Sequence, residues 1–155
     1  MSILAATSNV ALPEGYWGDL GENIGAIALY AVVGVVLMLI GFYAIDFTTP
    51  GKLSELVRTG KPNAVIVTAS GMLSMALIIV VAILTSFGDL TAGLIGSLVF
   101  GLVGIVAQVL GVRLLEWIAR FDVGDTIEAE TFAPVSVVVA AVHLALGGVV
   151  AVAIS

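Results

Sequence analysis

The chain has 155 residues, 61% of them hydrophobic and 10% charged, with 18 glycines, no cysteine and a formal net charge of −6. A water-soluble domain is near half apolar and about a quarter charged, so most of this surface must face something other than water. That excludes an ordinary soluble enzyme, a disordered chain, a nucleic-acid binder (phosphate is repelled at this net charge) and any disulfide or thiolate chemistry.

Residues 1–23 precede the long apolar runs. Met1 to Leu12 lacks the basic region of a cleaved signal peptide, and the first span is expected to act as an uncleaved insertion signal. Glu14, Asp19 and Glu22 are accompanied by no Lys or Arg, while Tyr16 and Trp17 suit an interfacial aromatic belt. The first span, Ile24 to Ile45, carries Gly34 and Gly41 one heptad apart. Tyr43, Phe47 and Trp117 suit the belt at the opposite interface.

The first loop, residues 48–60, holds Lys52, Glu55 and Arg58 around an apolar face of Leu53, Leu56 and Val57. With Thr49 as cap, Pro50 at the first helical position and Gly60 as the stop, it predicts a short amphipathic helix in the membrane interface. Lys61 and Pro62 lead into the second span, Asn63 to Phe87, which carries Thr68, Ser70, Gly71 and Ser74. Hydroxyls at this density suit helix contacts or a wet path. A tight turn, Gly88-Asp89-Leu90, follows.

The third span, Thr91 to Leu115, carries Gly93, Ser97, Phe100, Gly104, Ala107 and Gly111 at alternating four- and three-residue steps. Lipid supplies no hydrophobic drive for helix association, so such a seam favours close backbone approach. The first and third spans are therefore expected to form the central crossing pair. Near the end of the span, Glu116 can pair with Arg113 or Arg120 along the helix. The next loop, residues 119–131, is acidic, with Asp122, Asp125, Glu128 and Glu130. Its spacing is not that of an EF-hand, and it reads as a solvated or partner-docking surface, or as the electrostatic mate of the basic first loop.

The fourth span, Phe132 to Ser155, contains His143, the single histidine. Counting about ten residues from the loop ends places His143 and Gln108 at similar depth, about 15 Å in. Polar groups there are functional candidates by default. A hydrogen bond between the two would serve as interhelical glue or as part of a proton path.

Four runs of this length must be helices, because every backbone polar group in lipid has to be paired within its own segment or a closed barrel, and no alternating barrel strands occur. All five basic residues (Lys52, Arg58, Lys61, Arg113 and Arg120) lie in or beside the first and third connections. The positive-inside rule places those loops in the cytoplasm and both termini outside. Sliding the chain by 70 residues lays Gly34 on Gly104, Gly41 on Gly111, Asp46 on Glu116 and Phe47 on Trp117. The expectation is an all-α polytopic membrane protein of two parallel-repeated helical hairpins, residues 24–90 and 91–155, related about the membrane normal.

The run Ile45-Asp46-Phe47-Thr48-Thr49-Pro50-Gly51-Lys52-Leu53-Ser54-Glu55-Leu56, followed by Gly60 and Asn63-Ala64-Val65, resembles domain-of-unknown-function family 350. The resemblance covers residues 24 to 154, with Ala133-Pro134 in the second hairpin where an asparagine-led start is usual. It implies a small bacterial plasma-membrane protein of two tandem hairpins and, more loosely, a link to envelope stress and to peripheral membrane-remodelling proteins. It brings no catalytic residues. A duplicated proteolipid rotor subunit of similar size would need a carboxylate deep in the last helix, and His143 stands there instead.

No glycine-rich phosphate loop, serine elbow, paired buried carboxylates or metal-ligand cluster occurs in the sequence, so no catalytic, cofactor or metal site is expected. The partners expected are the lipid bilayer, further copies of the chain, and a cytoplasmic or peripheral membrane protein. Lys52, Arg58, Lys61, Asp122, Asp125, Glu128 and Glu130 would form the partner surface. An oligomeric ion or proton channel using His143 and Gln108 is the alternative.

Overall fold

A computed structural model describes residues 12–48, 52–86 and 88–155. The helices are α1 (Tyr16–Thr48), α2 (Leu53–Arg58), α3 (Pro62–Leu84), α4 (Leu90–Ala119), α5 (Val123–Glu128) and α6 (Val135–Ile154), and no strand occurs among the described residues. α1, α3, α4 and α6 are long and apolar enough to cross a membrane. The signals read on Met1 to Ala11 and the Thr49–Pro50 helix start lie outside the described residues.

α1 begins at Tyr16 rather than at Ile24, so the segment carrying Asp19 and Glu22 is helical. Its 33 residues measure about 50 Å, well beyond a hydrocarbon core about 30 Å thick. α4 starts on Asp89, whose side chain accepts the Ala92 N–H at 2.8 Å, after Gly88 turns the chain at φ +86°. It ends on Arg120 in the left-handed region, φ 56°.

The repeat is visible in the two short helices. α2 spans 53–58 and α5 spans 123–128, an offset of 70 at both ends. The first loop was expected to hold a helix; α5 was not, because its acidic surface masks the same pattern. Asp122 marks the start of α5, accepting the Asp125 N–H at 3.2 Å. Neither short helix would hold alone, since six residues are far below the length at which an isolated helix is stable. Each is fixed to the preceding long helix by an equivalent bond. Asp46 Oδ1 accepts the Leu53 N–H at 2.5 Å, and Glu116 Oε1 accepts the Val123 N–H at 3.0 Å.

α2 and α5 also bury their apolar residues in the bundle rather than lying free in the interface. Leu53, Val123 and Ile127 join Ala64, Val67 and Val139 in one core cluster at the loop end. Met75, Ile78 and Ile105 form a second cluster toward the other end.

The central helix is α3, a correction to the expectation that the first and third spans cross at the centre. Of the most apolar stretch of α3, 50% is buried, against 11% for α1. α3 packs most extensively on α6 and also touches α1, α2, α4 and α5. The four long helices form a rhombus in the order α1, α3, α6, α4, with α3 and α4 across the short diagonal and α1 and α6 at the far corners. Exchanging the two copies would carry the α3–α4 contact onto α1 and α6, which lie apart, so the twofold relation of the repeat is broken in the packing. The reason lies in the side chains. α3 carries Ser70, Gly71 and Ser74 on its buried surface, and these small residues let neighbours close on several sides.

The glycine seam of α4 acts differently from expectation. Gly93, Ser97 and Gly104 are buried and Gly111 is half-buried, whereas Phe100 is exposed. The glycines serve as sockets for side chains from three helices: Tyr30 of α1 at Gly93, Leu37 of α1 at Gly101, Ile78 of α3 at Gly104 and Leu146 of α6 at Gly111. Gly41 faces Met75 and Ile105, and a Cβ at Gly34 would meet nothing within 4 Å. Close backbone approach occurs at Gly147 of α6, where a Cβ would lie 3.0 Å from the Cα of Ser74.

Candidate functional site

Gly147 is what allows α3 and α6 to meet at Ser74, and the polar network is built on that contact. Ser74 Oγ donates to the carbonyl oxygen of His143 at 2.7 Å. Gln108 Nε2 donates to Ser74 Oγ at 2.9 Å, and Gln108 Oε1 lies 3.0 Å from His143 Nδ1. Three side chains from α3, α4 and α6 thus close a ring of hydrogen bonds. All are buried, at 0% exposure for Ser74, 3% for Gln108 and 2% for His143. The ring lies between the two apolar clusters, after Val67 and before Ile78 on α3.

In an apolar interior an unpaired amide or imidazole is costly, and the closed ring satisfies the amide, the hydroxyl and one ring nitrogen together. His143 and Gln108, singled out by depth, are brought together. Ser74 completes the ring; the sequence marked it only as one of several hydroxyls on the second span, and nothing local distinguishes it from Ser70, which bonds back to Val67 O at 2.8 Å.

Two small cavities flank Gln108. The first, of about 10 Å³, lies between α1, α3 and α4, and its lining includes Met38, Thr68, Met75 and Gln108. The second, of about 20 Å³, is bordered by Gln108, Val112, Arg113, Glu116, Val123 and His143, with others. A cavity holding one water needs about 10–15 Å³. Thr68 Oγ1 and Ser97 Oγ are buried without a hydrogen-bond partner among the described residues.

The loop end carries a second cluster. Lys52, Arg58, Asp122, Asp125, Glu128 and Glu130 are exposed, and Lys61 is half-buried. Lys61 Nζ reaches Glu130 Oε1 and also donates to the Glu128 carbonyl at 3.1 Å, so the two loops are joined there. Arg58 lies 4.0 Å from Glu55 of its own helix, and Arg113 pairs with Glu116 at 2.7 Å. Lys52, Asp122 and Asp125 join no ion pair among the described residues.

Asn63 also ties this end together. Fully buried, it donates Nδ2 to Thr131 O at 2.8 Å and accepts the Ala133 N–H on Oδ1 at 2.8 Å. Residue 133 is the repeat position of residue 63, so the asparagine of the first copy satisfies the start of the second copy's last helix, where Ala133 has no side chain able to do so. The two copies also differ at the helix starts, with Lys52 before α2 and Asp122 before α5.

The Domain of Unknown Function (DUF350) family model matches residues 19–154. The chain is 40% identical over 136 residues to a UPF0719 transmembrane protein of Mycolicibacterium paratuberculosis, covering 84% of this chain and 89% of that protein. It is 34% identical over 135 residues to UPF0719 transmembrane protein Mb2631 of Mycobacterium bovis, covering 86% of this chain and 89% of that one. No solved structure matches. A family match over nearly the whole chain, relatives named as transmembrane proteins and four helices able to span a bilayer agree: the chain is a member of the DUF350 family.

Proposed function

We propose that this protein is a non-enzymatic membrane scaffold whose work is to hold the α2–α5 surface at one face of the bilayer for a protein partner. The observation that carries the reading is the paired anchoring of two helices too short to stand alone: Asp46 to Leu53 and Glu116 to Val123, with apolar residues turned into the bundle. What this arrangement displays is α2, with Glu55, Arg58 and the preceding Lys52 exposed, and an acidic α5, with Asp125, Glu128 and the preceding Asp122 exposed. The bias of Lys and Arg toward that end supports a cytoplasmic surface with both termini outside, and the family resemblance supports a bacterial plasma membrane. A surface with both signs of charge also suits a second copy, the basic edge of one meeting the acidic edge of the next. The family resemblance suggests envelope stress as the setting.

An oligomeric channel is the second reading, favoured by the two cavities beside Gln108 and by His143 at membrane depth. Purified protein in liposomes separates the readings. The scaffold reading expects no ion or proton flux above empty vesicles, and photo-crosslinkers at Arg58 and Asp125 capturing a defined partner or a second copy. Flux that disappears in His143→Leu overturns it.

A further inference from the structure

The hydrogen-bond ring determines which nitrogen of His143 carries the proton. The contact from Ser74 Oγ to a carbonyl oxygen can only be a donation by the hydroxyl. A serine hydroxyl has one hydrogen, so toward Gln108 the same oxygen must accept. Gln108 therefore presents its NH₂ to Ser74 and its oxygen to His143, and an amide oxygen can only accept. Nδ1 of His143 must then be the protonated nitrogen, whether the ring is neutral or charged. This follows from the Ser74–His143 carbonyl contact, without an independent choice of the amide orientation.

Nε2 is left as the nitrogen that gains and loses a proton, and among the described residues it has no hydrogen-bond partner. His143 borders the second cavity, which at about 20 Å³ has room for one water. Arg113 and Glu116, paired with each other near the loop end of α4, are the charged side chains on that cavity's wall. Thr68, with its buried hydroxyl unpaired beside the first cavity, shows that protein groups do not exhaust the polar demand around Gln108. We propose that the second cavity is a water site, in which one water hydrogen-bonds His143 Nε2, so that His143 meets solvent from the Arg113–Glu116 side and through Nε2. Such a histidine can take up a proton at Nε2 without breaking the Ser74–Gln108 ring. The proposal is independent of the scaffold reading, because a water reaching His143 from one side conducts nothing.

Because His143 is the single histidine, histidine-specific ¹⁵N labelling of the full chain in lipid nanodiscs reads this site alone. At neutral pH the expected spectrum is the Nδ1–H tautomer, with magnetisation transfer from water to the ring. An Nε2–H tautomer overturns the proton assignment, and a ring without water transfer overturns the water site. In Val112→Leu, which adds bulk to the cavity wall, water transfer should fall several-fold while the Nδ1–H tautomer stays. Undiminished transfer in that variant, with helicity intact, overturns the cavity as the route. The wild-type spectrum decides the proposal even if the variant does not fold.

Discussion

The hydroxyl of Ser74 on α3 donates to the backbone carbonyl of His143 on α6, and Gly147, one turn further along α6, makes the approach close enough. Helix packing and polar network are therefore one feature. The glycine brings the backbones together, the serine uses the proximity, and Gln108 closes the ring from α4.

Ser74→Ala should leave the Gln108 NH₂ without its acceptor and lower stability by about 1–2 kcal/mol, the upper part of the range for interhelical hydrogen bonds in membranes. Unfolding in a mixed detergent series measures it. The loss should be non-additive with Gln108→Leu, since both break the same ring; additive losses would show that the ring does not act as a unit.

Two glycine substitutions should differ in sign. Gly147→Ala drives a Cβ to 3.0 Å from the Ser74 Cα, where backbone would have to move, and should cost about 1–3 kcal/mol. Gly34→Ala meets open space and should be neutral or stabilising by up to about 1 kcal/mol through helix propensity. Thermal melts in one detergent compare the two directly, and equal destabilisation would contradict the packing described.

Removing either helix anchor should free one short helix and leave the other in place. Asp46→Ala should raise amide hydrogen exchange at Leu53, and Glu116→Ala at Val123, each by about tenfold, corresponding to roughly 1.4 kcal/mol for a partly exposed charge-assisted bond. Exchange mass spectrometry resolves the two segments. Protection lost in both short helices from a single substitution would mean that they are coupled rather than separately pinned.

At the loop end the buried amide should outweigh the ion pair. Lys61→Ala removes a bridge whose partner Glu130 is 85% exposed and should cost under about 1 kcal/mol. Asn63→Ala leaves the Ala133 N–H and the Thr131 carbonyl without their partner and should cost about 2 kcal/mol or more. A chemical denaturation series on both variants tests the order.

Much of this architecture is legible in the sequence, unevenly and for definite reasons. The four spans follow from apolar length, and the repeat follows from the register of Asp46 with Glu116. The shared depth of Gln108 and His143 could be counted from the loop ends. α5 is hidden because Asp122 and Glu128 stand where the first copy has Lys52 and Arg58, and charge reversal disguises a shared apolar pattern. The seam of α4 was visible as small residues, but spacing alone does not say whether a glycine admits a backbone or a side chain such as Leu37 or Ile78.

By itself the sequence determined the class of protein and the number of crossings, because burying this much apolar surface in lipid depends on composition and run length. Only the tertiary structure decided that α3 is central, that Ser74 rather than Ser70 closes the ring, and that Asn63 of one copy satisfies Ala133 of the other. Lipid and protein interior are almost equally apolar, so the hydrophobic pattern does not tell a helix which side to bury. That choice falls to shape and to a few hydrogen bonds between residues far apart in the chain.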